Sequence, residues 1–333
     1  MRNIKIKPLF ITFSIICIAF FTLSWGIFGH NHINNAAVMA LPKPLQVFFY
    51  NHIDFITQES TIPDTRKYAL RDKAEHPRHF IDVENFGVLD SIPRSFDVAK
   101  KKYDDKFLDK NGILPWYIQD VMTKLTKAFK EKRKAEILFL AADLGHYIAD
   151  ANMPLHTSAN HAGQLTNQPG IHALWESSIP EMFGKNYNFY TPQAQYVDNI
   201  EMATWAMIQD SHSLVQPLLT TDKKLRESST QDKIFVMDEK GTIAKGMYGD
   251  LIFSSEYKAK LHEALNSMVE NQMKKAIVTT SNFWYTAWVN AGKPNLESID
   301  SKELTKRNSK CLKQDLKLWQ KGKLFGLETN KEF

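Results

Sequence analysis

Two histidines in the middle of the chain are each followed four residues later by an acidic residue. The pairs are His146 with Asp150 and His172 with Glu176. On a helix, residues four apart lie on the same face about one turn from each other, so each pair can hold one metal ion. Imidazole nitrogen and carboxylate oxygen, without thiolate, are ligands that suit zinc. The pattern therefore predicts helices at both pairs and a site for more than one ion.

The residues ahead of the first pair favour a helix. Lys134 to Ala151 is rich in Ala, Leu, Ile and Glu, with a single glycine at Gly145. Pro154 is expected to end this helix, which leaves His156 just beyond it and able to reach a second ion. A lone His and Asp at helical spacing is more often a surface or capping pair. The second pair and the histidine between them favour metal instead.

The start of the chain has the pattern of an export signal. Met1 to Lys7 carries three basic residues, and an apolar run follows from Pro8 to Leu23. Small residues stand three and one positions before a cut ahead of Trp25. We predict a signal peptide over residues 1–24 and an exported, periplasmic or secreted, mature chain. The alternative is an uncleaved membrane anchor, because the apolar run is slightly long for a signal.

Cysteine content and charge exclude two classes of protein. The two cysteines are Cys17, inside the predicted signal, and Cys311, near the other end, so the mature chain has no internal disulfide framework. The formal net charge is +5, and the predicted signal contributes three of these charges, which leaves about +2. This charge is too weak for a protein that coats nucleic acid.

Cleavage before Trp25 would place a free amine close to His30. An amine and the carbonyl of the same residue can chelate a cation, whereas an unprocessed chain lacks this amine. The alternative is that Trp25 and His30 pack in the core.

Two further ligand candidates follow in the chain. Asp64 comes directly after Pro63 in a sequence that favours a helix start, and His79 lies fifteen residues later. Three neighbouring polar residues are expected to lie in solvated loops or to support the ligands: His76, Asp72 and Glu84.

Apolar residues recur at helical spacing along most of the chain, and strand patterns are scarce. The helical segments are Asn31–Thr57, divided by Pro42 and Pro44, Leu114–Lys132, Phe189–Leu219 and Ser254–Trp288. The polar segment Thr220–Gly249 is expected to be an irregular excursion. We therefore predict an all-α fold with a single multi-helix domain over residues 25–295.

Residues 296–333 are predicted to form a basic C-terminal tail. From Asp300 onwards the tail holds nine Lys or Arg and five Asp or Glu, with leucines and Trp319 at helical spacing. Such a segment can lie on an anionic membrane surface. We favour the commoner alternative, a helix packed on the domain or a frayed end.

These residues, in this order, resemble the ligand pattern of a known superfamily. They are Trp25-Gly-Ile-Phe-Gly-His30, Asp64, His79-Phe-Ile-Asp82, His146-x-x-x-Asp150, His156 and His172-x-x-x-Glu176. The chain is similar to the trinuclear zinc superfamily of bacterial zinc-dependent phospholipases C and fungal and plant single-strand-specific nucleases. The resemblance covers most of residues 25–295, fills all nine expected ligand positions and is closest to the phospholipase C-like branch.

The resemblance implies three zinc ions and assigns their ligands. The first ion would be held by Asp64, His79 and His146, with Asp150 bridging it to a third ion. The third ion would also take the Trp25 amine and carbonyl and His30. His156, His172 and Glu176 would hold the second ion. A water between the first two ions would attack a phosphodiester, and Asp64 would have a second role as general base.

The resemblance leaves two substrate classes open. Glu176, where the nucleases have Asp, and the stretch from Met153 to Asn160 match the phospholipases. The short step from Trp25 to His30 matches the nucleases, whose base pocket uses an aromatic residue and an Asp where Phe80 and Asp82 stand. We favour a phospholipase C-type phosphodiesterase acting on phospholipid head groups. The alternatives are a single-strand-specific nuclease or 3'-nucleotidase and a non-catalytic zinc-binding helical protein.

Overall fold

The computed structural model describes residues 26–246, 249–300 and 304–323. Up to residue 151 the helices are α1 (Gly26–Ala40), α2 (Leu45–Asn51), α3 (Ile53–Gln58), α4 (Ile62–Tyr68), α5 (Val83–Phe86), α6 (Phe96–Lys102), α7 (Asp105–Asn111), α8 (Leu114–Lys130) and α9 (Lys134–Ala151). Beyond it they are α10 (Ile171–Ala173), α11 (Ile179–Phe183), α12 (Ile200–Ser213), α13 (Val215–Glu227), α14 (Gln231–Ile234), α15 (Ser255–Ala264), α16 (Met268–Asn290) and α17 (Lys306–Gln320). The described residues form isolated β-bridges but no longer strand, so the all-α prediction is confirmed. The predicted signal peptide and Trp25 lie outside the described ranges.

Short turns of other helix types connect these elements. The 3-10 turns are Glu59–Thr61, His76–His79, Leu89–Ser91, Pro154–Thr157, Gly184–Asn186 and Leu296–Ser298, and Leu174–Ser178 is a π-helical turn. Two of the 3-10 turns and the π turn carry candidate ligands. Turns of the π type are frequent at functional sites, and 3-10 turns are common connectors between helices.

Four long helices form the centre of the domain. α8 packs along α9, and α16 packs against α1, α8 and α9. α8 has the predicted apolar stripe, which includes Ile118, Val121 and Leu125, all buried. α9 is buried on most of its length because it lies between these neighbours. Its predicted bounds are confirmed, and so is its end ahead of Pro154.

α1 and α9 approach closely beside the predicted site. The side-chain amide of Asn34 on α1 donates to the carbonyls of Ile56 and Ala142. Gly145 on α9 faces this amide, and a Cβ at Gly145 would lie 1.8 Å from Asn34 Oδ1. Glycine is therefore required here for the two backbones to meet. The contact places α1 next to His146.

The prediction of a helix from Phe189 to Leu219 is wrong at its start. Residues 187–198 are extended or irregular, and Asn199 caps α12 by accepting from the amide of Met202. Neighbouring elements bind the extended backbone, since the amides of Ala194 and Val197 donate to Ala40 O and Thr286 Oγ1. Tertiary hydrogen bonds thus replace the helical ones that the apolar spacing predicted.

Two other predicted boundaries also differ. α13 continues to Glu227, and the excursion that follows it contains α14 and three antiparallel bridges, of which Phe235 to Phe253 is one. The segment predicted as a helix from Ser254 to Trp288 is two helices, α15 and α16. They are separated where Asn266 and Ser267 adopt positive φ angles of 47° and 63°. Residues in this conformation end a right-handed helix.

The C-terminal helix α17 packs on α1 and α2 through its apolar face. Leu312 and Trp319 are buried. The hydroxyl of Tyr50 donates to Asp315 at 2.7 Å, and the indole of Trp319 donates to the carbonyl of Phe189 at 3.2 Å. This arrangement matches the favoured alternative for residues 306–320, a helix packed on the domain. Among the residues that the structure describes, no helix combines the length and apolar character needed to cross a membrane.

Candidate metal centre

The predicted ligands within the described ranges converge on one buried region. They come from α1, the first turn of α4, the last turns of α9, two 3-10 turns and the segment from α10 into the π turn: His30, Asp64, His146, Asp150, His79, His156, His172 and Glu176. Seven of the eight residues are buried, and the His172 side chain is 26% exposed. The ninth predicted ligand, Trp25, lies outside the described residues.

The first group of ligand atoms surrounds one carboxylate oxygen of Asp150. Asp150 Oδ2 lies 2.9 Å from His79 Nδ1 and 3.2 Å from His146 Nε2. Asp64 Oδ1 lies 3.6 Å from His79 Nδ1. Zinc bonds of about 2.0–2.1 Å place tetrahedral ligand atoms roughly 3.3–3.4 Å apart, which matches these separations.

The second group lies on the other side of the same carboxylate. His30 Nε2 is 3.7 Å from Asp150 Oδ1 and 3.9 Å from Asp64 Oδ2. The His30 ring stacks on the His146 ring, with centroids 3.9 Å apart. Asp150 therefore directs its two oxygens to different groups, which is the arrangement that a bridging carboxylate needs.

The third group combines the 3-10 turn after α9 with the π turn. Glu176 places one carboxylate oxygen 3.3 Å from His156 Nε2 and the other 3.0 Å from His172 Nε2. The two imidazole rings stack with centroids 5.0 Å apart. The predicted spacing of four residues between His172 and Glu176 does bring them together. It does so through a helix that widens from α to π geometry between them.

Outer contacts orient the imidazole rings. Three rings direct Nδ1 to a backbone carbonyl: His146 to Ser60 at 2.8 Å, His156 to His79 at 2.6 Å and His172 to His161 at 2.9 Å. In each of these rings Nε2 is left to face the cluster. Metal-binding histidines in proteins are held in this way, because a partner on one nitrogen fixes the proton there and directs the other nitrogen to the ion.

Several buried polar atoms of the cluster have no hydrogen-bond partner among the described residues. They are both ring nitrogens of His30, both carboxylate oxygens of Asp64, Nε2 of His79 and one carboxylate oxygen of Glu176. Buried polar groups without a partner are rare and costly in folded proteins. A divalent cation would bind these atoms, and the set of nitrogen and oxygen donors suits zinc. The residues present therefore fit the predicted metal.

The pKa shifts of the cluster residues also suit a bound cation. Burial raises the pKa of Asp64 above its ordinary value, and the neighbouring Asp150 adds to this shift. Burial and the nearby His146 ring lower the pKa of His30. Although burial alone would raise the pKa of Glu176, His172 and His156 hold it below its usual range. The cluster thus keeps histidines and carboxylates in mutual contact away from water, where a cation would stabilise the ionised carboxylates.

The structure also places the predicted substrate residues and the three neighbouring polar residues. Phe80 is half-buried, and its ring meets the His76 ring edge to face, with centroids 5.2 Å apart. Asp82 is 9% exposed, and burial and the nearby Glu84 raise its pKa to about 6. Glu84 accepts from Ser158 Oγ and the amide of Ala159, so it supports the loop after His156. Asp72 lies in an exposed turn, where it accepts from the amide of Ala74.

Sequence reasoning missed two residues beside the cluster. Glu75 is fully buried, and its carboxylate lies 3.5 Å from His79 Nε2. The spacing of four residues between Glu75 and His79 is a signal that could have identified it. The ammonium group of Lys67 lies over the Tyr68 ring, 4.7 Å from its centroid. Burial would lower the pKa of Lys67, but Tyr68 and Asp64 raise it, so the ammonium group stays charged beside the cluster.

Together the fold and the site define an all-helical protein with a buried centre suited to several metal ions. The sequence model of the S1/P1 nuclease family matches residues 25–279. The chain therefore belongs to this family. The predicted membership of the zinc phospholipase C and nuclease superfamily is thereby confirmed through this nuclease family, whose members are hydrolases of phosphoester bonds.

Two further comparisons complete this result. Among solved structures, the alpha toxin from Clostridium absonum is similar to the chain with a TM-score of 0.43 and 13% identity. That match covers 83% of this chain and 66% of the toxin chain. None of the curated proteins matches.

Proposed function

We propose that the protein is a zinc-dependent phosphodiesterase whose three metal sites are formed by Trp25, His30, Asp64, His79, His146, Asp150, His156, His172 and Glu176. One observation carries the proposal: eight of these side chains meet in one buried region, and several of their polar atoms lack any other partner among the described residues. Zinc ions bound there would supply a nucleophilic water at neutral pH and positive charge against the phosphate oxygens.

The residues around the cluster have separate roles in this proposal. Asp150 joins the His79 and His146 group to the His30 group through its two oxygens. Both carboxylate oxygens of Asp64 lack a hydrogen-bond partner among the described residues, so beside bound zinc one of them would be placed to accept a proton from the attacking water. Lys67 keeps a fixed positive charge beside the cluster and attracts the anionic ester.

For the substrate we propose single-stranded nucleic acid first. Phe80 offers a half-exposed aromatic ring for stacking on a base, and Asp82 Oδ1 is buried without a hydrogen-bond partner in the described chain. Aromatic stacking combined with a nearby polar acceptor is how proteins bind unpaired bases. The family match is consistent with this choice.

Phospholipid, which the sequence analysis favoured, is the second candidate here. Glu176 stands where the nuclease pattern has Asp, and Leu70, Val88 and Leu165, which follow Asp64, Asp82 and His156 in the chain, are 72%, 73% and 72% exposed. Apolar side chains on loops beside a phosphodiesterase site suit contact with lipid.

A paired assay tests the proposal. Zinc-loaded mature protein is incubated with single-stranded DNA and, separately, with phosphatidylcholine vesicles, and the Asp150→Asn variant serves as the inactive control. We expect nucleotide release from DNA that stops on chelation and returns with zinc. Release of phosphocholine without nucleotides would replace the first substrate by the second. A zinc-loaded protein that is inert on both would contradict the proposed activity.

The third ion requires a processed amino end. We propose export with cleavage before Trp25, so that the Trp25 amine and carbonyl complete the group of His30 and Asp150. Protein that starts at Trp25 is compared with protein that carries one extra alanine before it. We expect three zinc ions in the first and two in the second. Equal zinc content in both would contradict the role of the amine.

A further inference from the structure

One ligand ring is oriented differently from the others. His146, His156 and His172 direct Nδ1 to backbone carbonyls and Nε2 to the cluster. In His79 the order is reversed: Nδ1 faces Asp150 and Asp64, and Nε2 faces Oε1 of Glu75 at 3.5 Å. His79 is thus the one ring among these four that directs Nδ1 into the cluster, and the carboxylate beyond its Nε2 belongs to none of the predicted ligands.

The Glu75 carboxylate is fixed by three donors. Its Oε2 accepts from Arg66 Nε at 3.1 Å and from Arg78 Nη1 at 2.9 Å, and its Oε1 accepts from the hydroxyl of Tyr147. The side chain is fully buried. Two guanidinium groups and a phenol therefore stabilise the ionised form of Glu75, although it lies away from water.

The donors are held in turn by groups outside the cluster. Arg66 Nη2 donates to Asp143 Oδ2 at 2.7 Å, and the Arg78 guanidinium lies over the Tyr117 ring, 4.4 Å from its centroid. The backbone that carries Glu75 and His79 is also fixed, because the amide of Arg78 donates to the Glu75 carbonyl and the amide of Ile113 donates to the Pro77 carbonyl. The carboxylate consequently has one position relative to the His79 ring.

This geometry determines which nitrogen of His79 carries the proton. A neutral imidazole that ligates through Nδ1 holds its proton on Nε2, and that proton needs an acceptor in a buried site. His79 Nε2 has no hydrogen-bond partner among the described residues, and the Glu75 carboxylate 3.5 Å away is placed to accept its proton. An ionised acceptor on one ring nitrogen increases the basicity of the other and thereby its affinity for a cation.

We propose that Glu75 is a positioning residue that fixes the Nε2-protonated tautomer of His79 and strengthens zinc binding by Asp64, His79, His146 and Asp150. The inference depends on the proposed function because it concerns the same metal centre. A purely structural Glu75, which only neutralises Arg66 and Arg78, is the competing explanation.

The test compares Glu75→Gln with Asp143→Asn. Both variants remove a carboxylate that pairs with Arg66, fully buried in Glu75 and half-buried in Asp143, but Asp143 has no direct contact with His79 among the described contacts. Zinc dissociation constants are measured by chelator competition on purified protein at pH 7.5, and folding is checked by thermal melting. We expect Glu75→Gln to weaken one of the zinc sites by about 10–100-fold, the range seen for such outer partners. Asp143→Asn should bind zinc like the wild type.

Three outcomes would overturn the inference or separate it from the proposed function. Wild-type affinity in Glu75→Gln would overturn it. Equal weakening in both variants would assign the effect to the Arg66 network and would also overturn it. A wild-type protein that binds no zinc would contradict the proposed function itself, before any variant is considered.

A measurement on the wild type keeps the inference testable if Glu75→Gln does not fold. Proton and nitrogen-15 correlation spectra of the zinc-loaded protein report the protonation of each ring nitrogen. We expect His79 to be protonated at Nε2, and His146, His156 and His172 at Nδ1. Protonation of His79 at Nδ1 would overturn the proposal.

Discussion

Asp64 and Asp222 are both fully buried carboxylates, yet their surroundings are opposite. Asp222 accepts from Gln168 Nε2, Tyr257 Oη and Arg226 Nε, each at 2.7 Å. Asp64 has no hydrogen-bond partner on either oxygen within the described residues, although two histidine rings lie within 4 Å. A buried carboxylate whose oxygens accept several hydrogen bonds stabilises the fold, whereas a buried carboxylate without donors is available to bind a cation.

The two residues also differ in what they connect. Asp222 on α13 holds Gln168 and, through Arg226, the carbonyl of Pro169, so it fixes the loop ahead of His172. Within the described part of the chain, the Asp64 side chain connects no such elements by hydrogen bonds; it contributes oxygens to the cluster. Asp222 therefore stabilises the fold around the site, whereas Asp64 is held by the fold in a position to bind metal.

The largest expected effect comes from exchanging each residue for its amide. Asp64→Asn should lower kcat/KM by more than the ~10–100-fold typical of outer partners, because it removes a metal-binding oxygen. Asp222→Asn should keep kcat/KM close to the wild type and lower the free energy of unfolding by about 1.5–3 kcal/mol, because its amide group meets three donors. Steady-state kinetics and urea unfolding measure both. Loss of activity without loss of stability in Asp222→Asn would break the comparison.

Without bound ions, the Asp64→Asn variant should be at least as stable as the wild type. Since burial raises the pKa of Asp64 in the folded state, ionising it costs stability as the pH rises above its ordinary value of 3.8. The neutral amide avoids this cost, so ion-free Asp64→Asn should melt at the same or a higher temperature than the ion-free wild type at pH 8. The measurement is thermal melting after exhaustive chelation. A large decrease in melting temperature would mean that Asp64 is a structural residue.

Zinc binding should release protons. Burial opposes charge on His146, but Asp150 and Asp64 raise its pKa to about 9, so the ion-free ring is protonated at pH 7. That proton must leave before Nε2 can bind a cation, and zinc affinity should therefore rise from pH 6 to pH 9. Calorimetry in two buffers of different ionisation enthalpy counts the protons. Asp222→Asn should release the same number, and an absence of release would contradict the assignment of His146.

The smallest expected effect concerns the substrate. Burial and Glu84 raise the pKa of Asp82 to about 6, so the carboxylate is ionised above pH 6 and loses its charge below it. At saturating zinc, the KM for an oligonucleotide should rise a few-fold as the pH falls through 6, and Asp82→Asn should not show this change. Kinetics from pH 5 to pH 8 measure it. An identical pH profile in the variant would exclude Asp82 from base binding.

The sequence predicted the parts of the site that depend on local spacing. The pairs at residues 146 and 150 and at residues 172 and 176 follow from helical periodicity, and the helix before them follows from composition. The remaining ligands, such as Asp64 and His79, have no such spacing; their sequence context makes them candidates, and the family resemblance assigns them to particular ions. Their convergence results from tertiary contacts, among them that of Asn34 with Gly145.

The missed features share a physical cause. Glu75 looks like one more charged residue in a polar segment, and only the fold shows that two arginines and Tyr147 surround it. The extended segment before α12 was assigned to a helix because its apolar spacing is helical. Its hydrogen bonds instead go to α16 and to Ala40, which no local pattern reports.

Anomalous diffraction at the zinc absorption edge, from crystals of the mature zinc-loaded protein, tests the central claim most directly. The account predicts three peaks: one between Asp64, His79, His146 and Asp150, one between His30 and Asp150, and one between His156, His172 and Glu176. Zinc-replete crystals without an anomalous peak among these residues would contradict it.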